Sequence, residues 1–95
     1  MPRAKTSVSP SASKQTVQQY IATFHTHLSA LLTSRALQSA GCTARMAPVP
    51  RTLSSSCGTC VRYEGTAPML EAMDEDVERV YEVKEETYTL LLENL

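Results

Sequence analysis

Apolar residues in the N-terminal half recur on a helical beat. Val17, Ile21, Phe24, Leu28 and Leu31 follow one another at gaps of four, three, four and three, the spacing that lays a stripe along one face of an α-helix. The pattern predicts a helix from about Lys14 to Ala40. Thr16 with Gln19 three residues on fits a capping box, with Ser13 as a competing cap. Gly41 then supplies the left-handed position at which helices commonly stop.

A second pattern begins at Pro68, a residue that suits a first helical turn. Leu70, Met73, Val77, Val80 and Tyr81, continued by Tyr88, Leu91, Leu92 and Leu95, predict a second helix to about Asn94. Glu71, Asp74, Glu75 and Asp76 suit its positive dipole end. The β-branched Val77, Val80, Val83, Thr87 and Thr89 favour a strand over Val80–Leu92 instead; the spacing of threes and fours decides for helix. Between the two patterns, residues 41–65 place Gly41, Pro48, Pro50, Gly58 and Gly65 among Ser and Thr. They read as a long loop with a short extended stretch at Cys60–Tyr63. The expected fold class is all-α: two long amphipathic helices in a hairpin over residues 14–95, joined by a Cys-containing loop over 41–65, behind a basic disordered tail at residues 1–13.

Two helices shield one seam only. A chain of 95 residues has a core small enough to need a metal, a disulfide or a partner. The expected function is therefore a small non-enzymatic interaction or scaffold subunit that enters a multi-chain helical bundle or coiled coil. Val17, Ile21, Phe24, Leu28 and Leu31 form one expected contact row. Met73, Val77, Tyr81, Tyr88 and Leu91 form the other. The partners are other protein chains or further copies of this one.

Charge adds an asymmetry. Residues 1–65 carry seven basic residues and one acid, whereas residues 66–95 carry nine acids against Arg79 and Lys84. The basic residues are scattered and the acidic segment repels phosphates, so direct nucleic-acid binding is not favoured. No apolar run approaches the ~18 residues of a membrane span, and the N-terminus lacks the apolar stretch of a secretory signal. An intracellular location, cytoplasmic or nuclear, is expected. The acid-free composition of residues 1–63 makes organellar import the alternative.

The residues that could carry chemistry are few. Cys57-Gly58-Thr59-Cys60 is a C-x-x-C, with Cys42 upstream. With His27 these thiols would complete a tetrahedral zinc site, which makes a small zinc-binding adaptor the alternative function. The second half of the usual zinc pattern is missing. The leading expectation is therefore three free thiols and no cofactor. No nucleophile elbow, phosphate loop or pair of cleft carboxylates is evident, so no catalytic residue is expected.

Overall fold

A computed structural model describes residues 17–94. The chain forms β1 (Gln18–Phe24), α1 (His27–Ser39), β2 (Thr43–Pro48), β3 (Thr59–Gly65), a 3₁₀ turn (Leu70–Ala72), β4 (Val77–Lys84) and β5 (Thr87–Glu93). The strands build one antiparallel sheet in the order β2-β3-β1-β4-β5. α1 lies across β2 and β3, with a smaller contact to β1. The all-α hairpin, the helical bundle and the coiled coil are thus corrected: this is a sheet-dominated domain with one α-helix among the described residues. The expected tail at residues 1–13 lies outside the described residues.

The first expected helix divides into β1 and α1. Tyr20 to Phe24 are five consecutive buried residues at the centre of the sheet. A strand covered on both faces reads as a continuous run and not as an alternation, so its apolar positions can fall on a helical spacing by coincidence. Tyr20, Ala22 and Phe24 point into the core shared with α1, while Ile21 and Thr23 point to the outer face. His25 and Thr26 break the strand. Thr26 caps α1, its hydroxyl oxygen accepting from the Ser29 N–H at 3.1 Å. The far end of α1 meets expectation at Gly41, which has φ +93°. The Gly41 N–H donates to Gln38 O at 3.0 Å and the Cys42 N–H to Leu37 O at 2.9 Å, the two bonds of a Schellman motif.

The buried side of α1 consists of Ser29, Ala30, Thr33, Ser34 and Leu37. Small side chains let the helix lie close to the sheet, and their hydroxyls are matched. Ser29 Oγ donates to Asp74 Oδ2 at 2.7 Å, and the Asp74 N–H donates to Thr33 Oγ1 at 3.0 Å. These two bonds tie the helix to the segment before β4. Leu28 and Leu32 face outward, at 61% and 46% exposure. The core between helix and sheet joins Leu37 to Ala44, Val61, Tyr63, Val77 and Val80, with Tyr20 and Tyr63 stacked at 5.1 Å between ring centres. The loop expected over 41–65 contains β2 and β3, antiparallel to each other, with Arg45 opposite Arg62.

The second expected helix is replaced by the 3₁₀ turn and the β4–β5 hairpin, so the β-branched residues outweigh the helical spacing. The hairpin escapes the eye because its turn is Glu85-Glu86. Both residues are left-handed, at φ 50° and 67°, as a two-residue type I′ turn requires, yet neither is a residue that favours this region. Replacing the pair by Asn-Gly is expected to stabilise the protein by roughly 1–2 kcal/mol by removing that strain. Chemical denaturation reads this as a higher midpoint at unchanged slope.

Candidate functional site

At one end of the sheet the β1–α1 corner meets the connection between β2 and β3. The Val49 N–H donates to Gly58 O at 3.2 Å and closes the base of that connection. Cys57 sits at its end, before Gly58, whose φ of +74° is a conformation that glycine adopts without strain. Ser55 Oγ donates to Phe24 O at 3.0 Å. This bond ties the loop to the end of β1.

The strongest anchor comes from β4. Thr23 pairs with Arg79 and Phe24 with Val77, so Glu78 is an extra residue in the ladder. A β-bulge of this kind re-aims a side chain. Glu78 is 6% exposed, and its carboxylate receives two bonds from one residue of the loop. The Ser56 N–H donates to Oε1 at 3.3 Å and Ser56 Oγ donates to Oε2 at 2.7 Å. His25 Nδ1 lies 3.5 Å from Oε2 and 3.4 Å from Ser56 Oγ. Burial pushes the Glu78 carboxyl pKa up, but the Ser56 side-chain and backbone bonds and the charge of His25 outweigh it and hold the pKa below its ordinary value.

Ser56, His25 and Glu78 are the residue types of an acyl-transfer triad, but they are not wired as one. A triad needs its imidazole between hydroxyl and carboxylate. Here the hydroxyl donates straight to the carboxylate, and the imidazole reaches both with the same nitrogen. The cluster is an anchor for the residue before Cys57.

The three thiols have different surroundings. Cys57 Sγ lies 3.5 Å from Thr59 O and 4.0 Å from Ser55 Oγ, and is partly exposed. Cys60 is wholly buried, its Sγ 3.6 Å from Pro48 O. Burial pushes its thiol pKa up, so the thiolate is disfavoured. Cys42, like Cys57, is partly exposed; it lies at the opposite end of the sheet, packed against the core beside Gly65. His27, at the start of α1, reaches Thr59 with its Nδ1 3.5 Å from Oγ1. Cys42, Cys57, Cys60 and His27 are therefore not gathered around one point, and no group of three or more metal-ligating side chains occurs among the described residues.

The structure places the residues of the two expected contact rows in different surroundings. Phe24 and Val77 are core residues and Ile21 is buried on the outer face. Met73 packs against the core, and Tyr81 meets Tyr88 edge-on at 6.3 Å on the outer face. Val17, Leu28 and Leu91 are exposed at separate places and Leu31 is half-buried. Sequence reasoning missed Glu78, Ser56 and His25 as one unit. The run Ser54-Ser55-Ser56-Cys57-Gly58 was the available signal, while Glu78 looked like one more acid in an acidic segment. No helix among the described residues is long and apolar enough to cross a membrane.

Comparisons with known proteins place the chain in a family. The family model described as "Putative Se/S carrier protein-like" matches residues 19–88. Among curated proteins, the Escherichia coli (strain K12) protein named "Uncharacterized protein YtiA" is 36% identical over 45 residues, which are 47% of this chain and 53% of that protein. The chain thus spans about half the length of the curated relative it matches. No solved structure matches.

Proposed function

This chain belongs to the Se/S carrier protein-like family, and from that premise we propose that it carries a sulfur or selenium atom on Cys57. The observation that supports this reading is the contrast between the thiols. Cys57 is partly exposed in an anchored turn, Cys60 is sealed in with its ionisation suppressed, and Cys42 packs against the core. The thiolate is the attacking form of a cysteine, so the partly exposed, core-free position is the one suited to exchange.

The chemistry is thiol–persulfide exchange. The Cys57 thiolate attacks the outer sulfur of a donor persulfide, R–S–SH. A bond forms between Sγ and that sulfur, the donor's S–S bond breaks, and R–S⁻ leaves with its electron pair. The terminal proton stays on the transferred atom, giving Cys57–S–SH. An acceptor thiolate then attacks the same outer sulfur and Cys57 leaves as the thiolate. Selenium in the outer position follows the same steps. The protein ends each cycle unchanged in redox state, as a carrier in place of an enzyme that makes or breaks the donor's carbon bonds.

Hand-over requires donor and acceptor proteins to reach the turn. Leu28 and Leu32, one helical turn apart on the exposed side of α1, begin next to His27, which touches Thr59. Association through apolar helix residues thus narrows to these two leucines as the docking contact beside Cys57. The test of the carrier reading is intact-mass measurement of the full chain after treatment with glutathione persulfide. The expected result is one added sulfur atom per chain, removed by a thiol that then bears the persulfide. A chain that gains no sulfur, or gains it and cannot pass it on, overturns the reading.

A further inference from the structure

The outer face of the sheet holds a second feature, at the end remote from Cys57. Two rows of residues cross β2, β3 and β1 there in register. Arg45, Arg62 and Ile21 form one row, and Thr43, Glu64 and Gln19 form the next. They line a cavity of about 170 Å³, the space of a few water molecules at ~30 Å³ each. Arg45 and Arg62 stand directly opposite each other. Like charges in that relation destabilise a strand pair. Among the described residues neither guanidinium lies within ion-pair distance of a carboxylate. Residues 1–16 contain no Asp or Glu that could supply one.

One structural duty accounts for part of this. Ile21 is wholly buried although it faces outward, and the apolar stem of Arg62, its neighbour across the ladder, is placed to cover it. That explains a stem, but not two forked cations side by side over a cavity. Paired guanidiniums match the two oxygens of a carboxylate. Glu64 lines the same cavity one row away, with the Gln19 amide and the Thr43 hydroxyl beside it. A bare dianion such as phosphate would be repelled by Glu64. A ligand carrying both signs would be welcomed at both rows.

We propose that this cavity binds a small zwitterion of the α-amino-acid class. The carboxylate lies between Arg45 and Arg62, and the ammonium group faces Glu64, Gln19 and Thr43. The site is independent of the thiol chemistry at Cys57. The cavity limits the ligand to a small side chain, and the partly exposed Val83 in its lining offers that side chain an apolar contact.

The full chain, labelled with nitrogen-15, would be titrated with L-alanine, acetate, methylamine and inorganic phosphate up to about ten millimolar, a range in which millimolar sites fill. L-Alanine is expected to give saturable shifts centred on Gln19, Thr43, Arg45, Arg62 and Glu64, with acetate, methylamine and phosphate each about tenfold weaker. Arg45→Gln and Arg62→Gln keep most of the stem and are expected to weaken L-alanine about tenfold. Glu64→Gln should weaken L-alanine while improving phosphate. Cys57→Ser should change nothing, which separates this site from the carrier reading. The wild-type ligand series stands without any variant. No saturable shift at these residues, or phosphate or acetate binding as well as L-alanine, overturns the proposal.

Discussion

Replacing Cys57 by Ser is expected to reduce sulfur loading from a persulfide donor by at least about a thousandfold, the scale on which losing an attacking nucleophile is felt. The hydroxyl of Ser at this position stays protonated at neutral pH and cannot hold a sulfane sulfur. Cys42→Ser is expected to leave loading within about threefold, because that thiol lies at the other end of the sheet against the core. Cys60→Ala should behave as Cys42→Ser does, apart from some lost stability: Cys60 is fully buried and Ala leaves a small cavity. Rates are read by intact mass against time at fixed donor concentration. If Cys57→Ser loads normally while Cys42→Ser does not, the assignment of the thiols is reversed.

The second large effect belongs to Glu78. Glu78→Ala leaves the Ser56 N–H and hydroxyl without their acceptor and is expected to cost about 1–3 kcal/mol of stability. It should also slow the loading of Cys57 by roughly tenfold, since the turn loses its anchor to β4 and samples orientations that do not present the thiol. Alkylation of the same thiol by iodoacetamide, a small reagent with little orientational demand, should change far less. That difference separates positioning from simple loss of the thiol. The pH dependence has a definite sign. The carboxyl pKa is held below its ordinary 4.5 in the folded protein, so the unfolded chain binds the proton first. The stabilisation is complete above about 4.5 and is lost as pH falls through the lower folded value. Glu78→Gln is expected to be less stable than the parent at neutral pH and to converge on it in acid. A constant gap between the two at all pH values would remove the carboxylate from the account.

Legibility in the sequence follows physical lines. The C-terminal half of α1 and its stop at Gly41 were readable, because a Schellman motif needs a left-handed residue and glycine announces it. Gly58 was legible only as one of the glycines and prolines that mark residues 41–65 as irregular. β1 was not, because burial on both faces erases the alternation that marks a strand. The β4–β5 hairpin was hidden by Glu85-Glu86, a turn formed against local preference and held by the pairing around it. The site was half legible. Cys57 and Cys60 stood out as a pair, but a shared spacing does not reveal that one thiol is partly exposed and the other sealed beneath the sheet's outer surface. Glu78 was invisible as an anchor, because a bulge in the ladder, and not a periodicity, turns it toward Ser56.

The most direct measurement locates the transferred atom. After loading from glutathione persulfide and mild alkylation, cleavage after Arg51 and Arg62 releases Thr52–Arg62, which contains both Cys57 and Cys60. Fragmentation between Gly58 and Thr59 then separates the two. The extra sulfur or selenium is expected on the Cys57 side alone. Its appearance on the Cys60 side, or on the peptide bearing Cys42, would contradict the account.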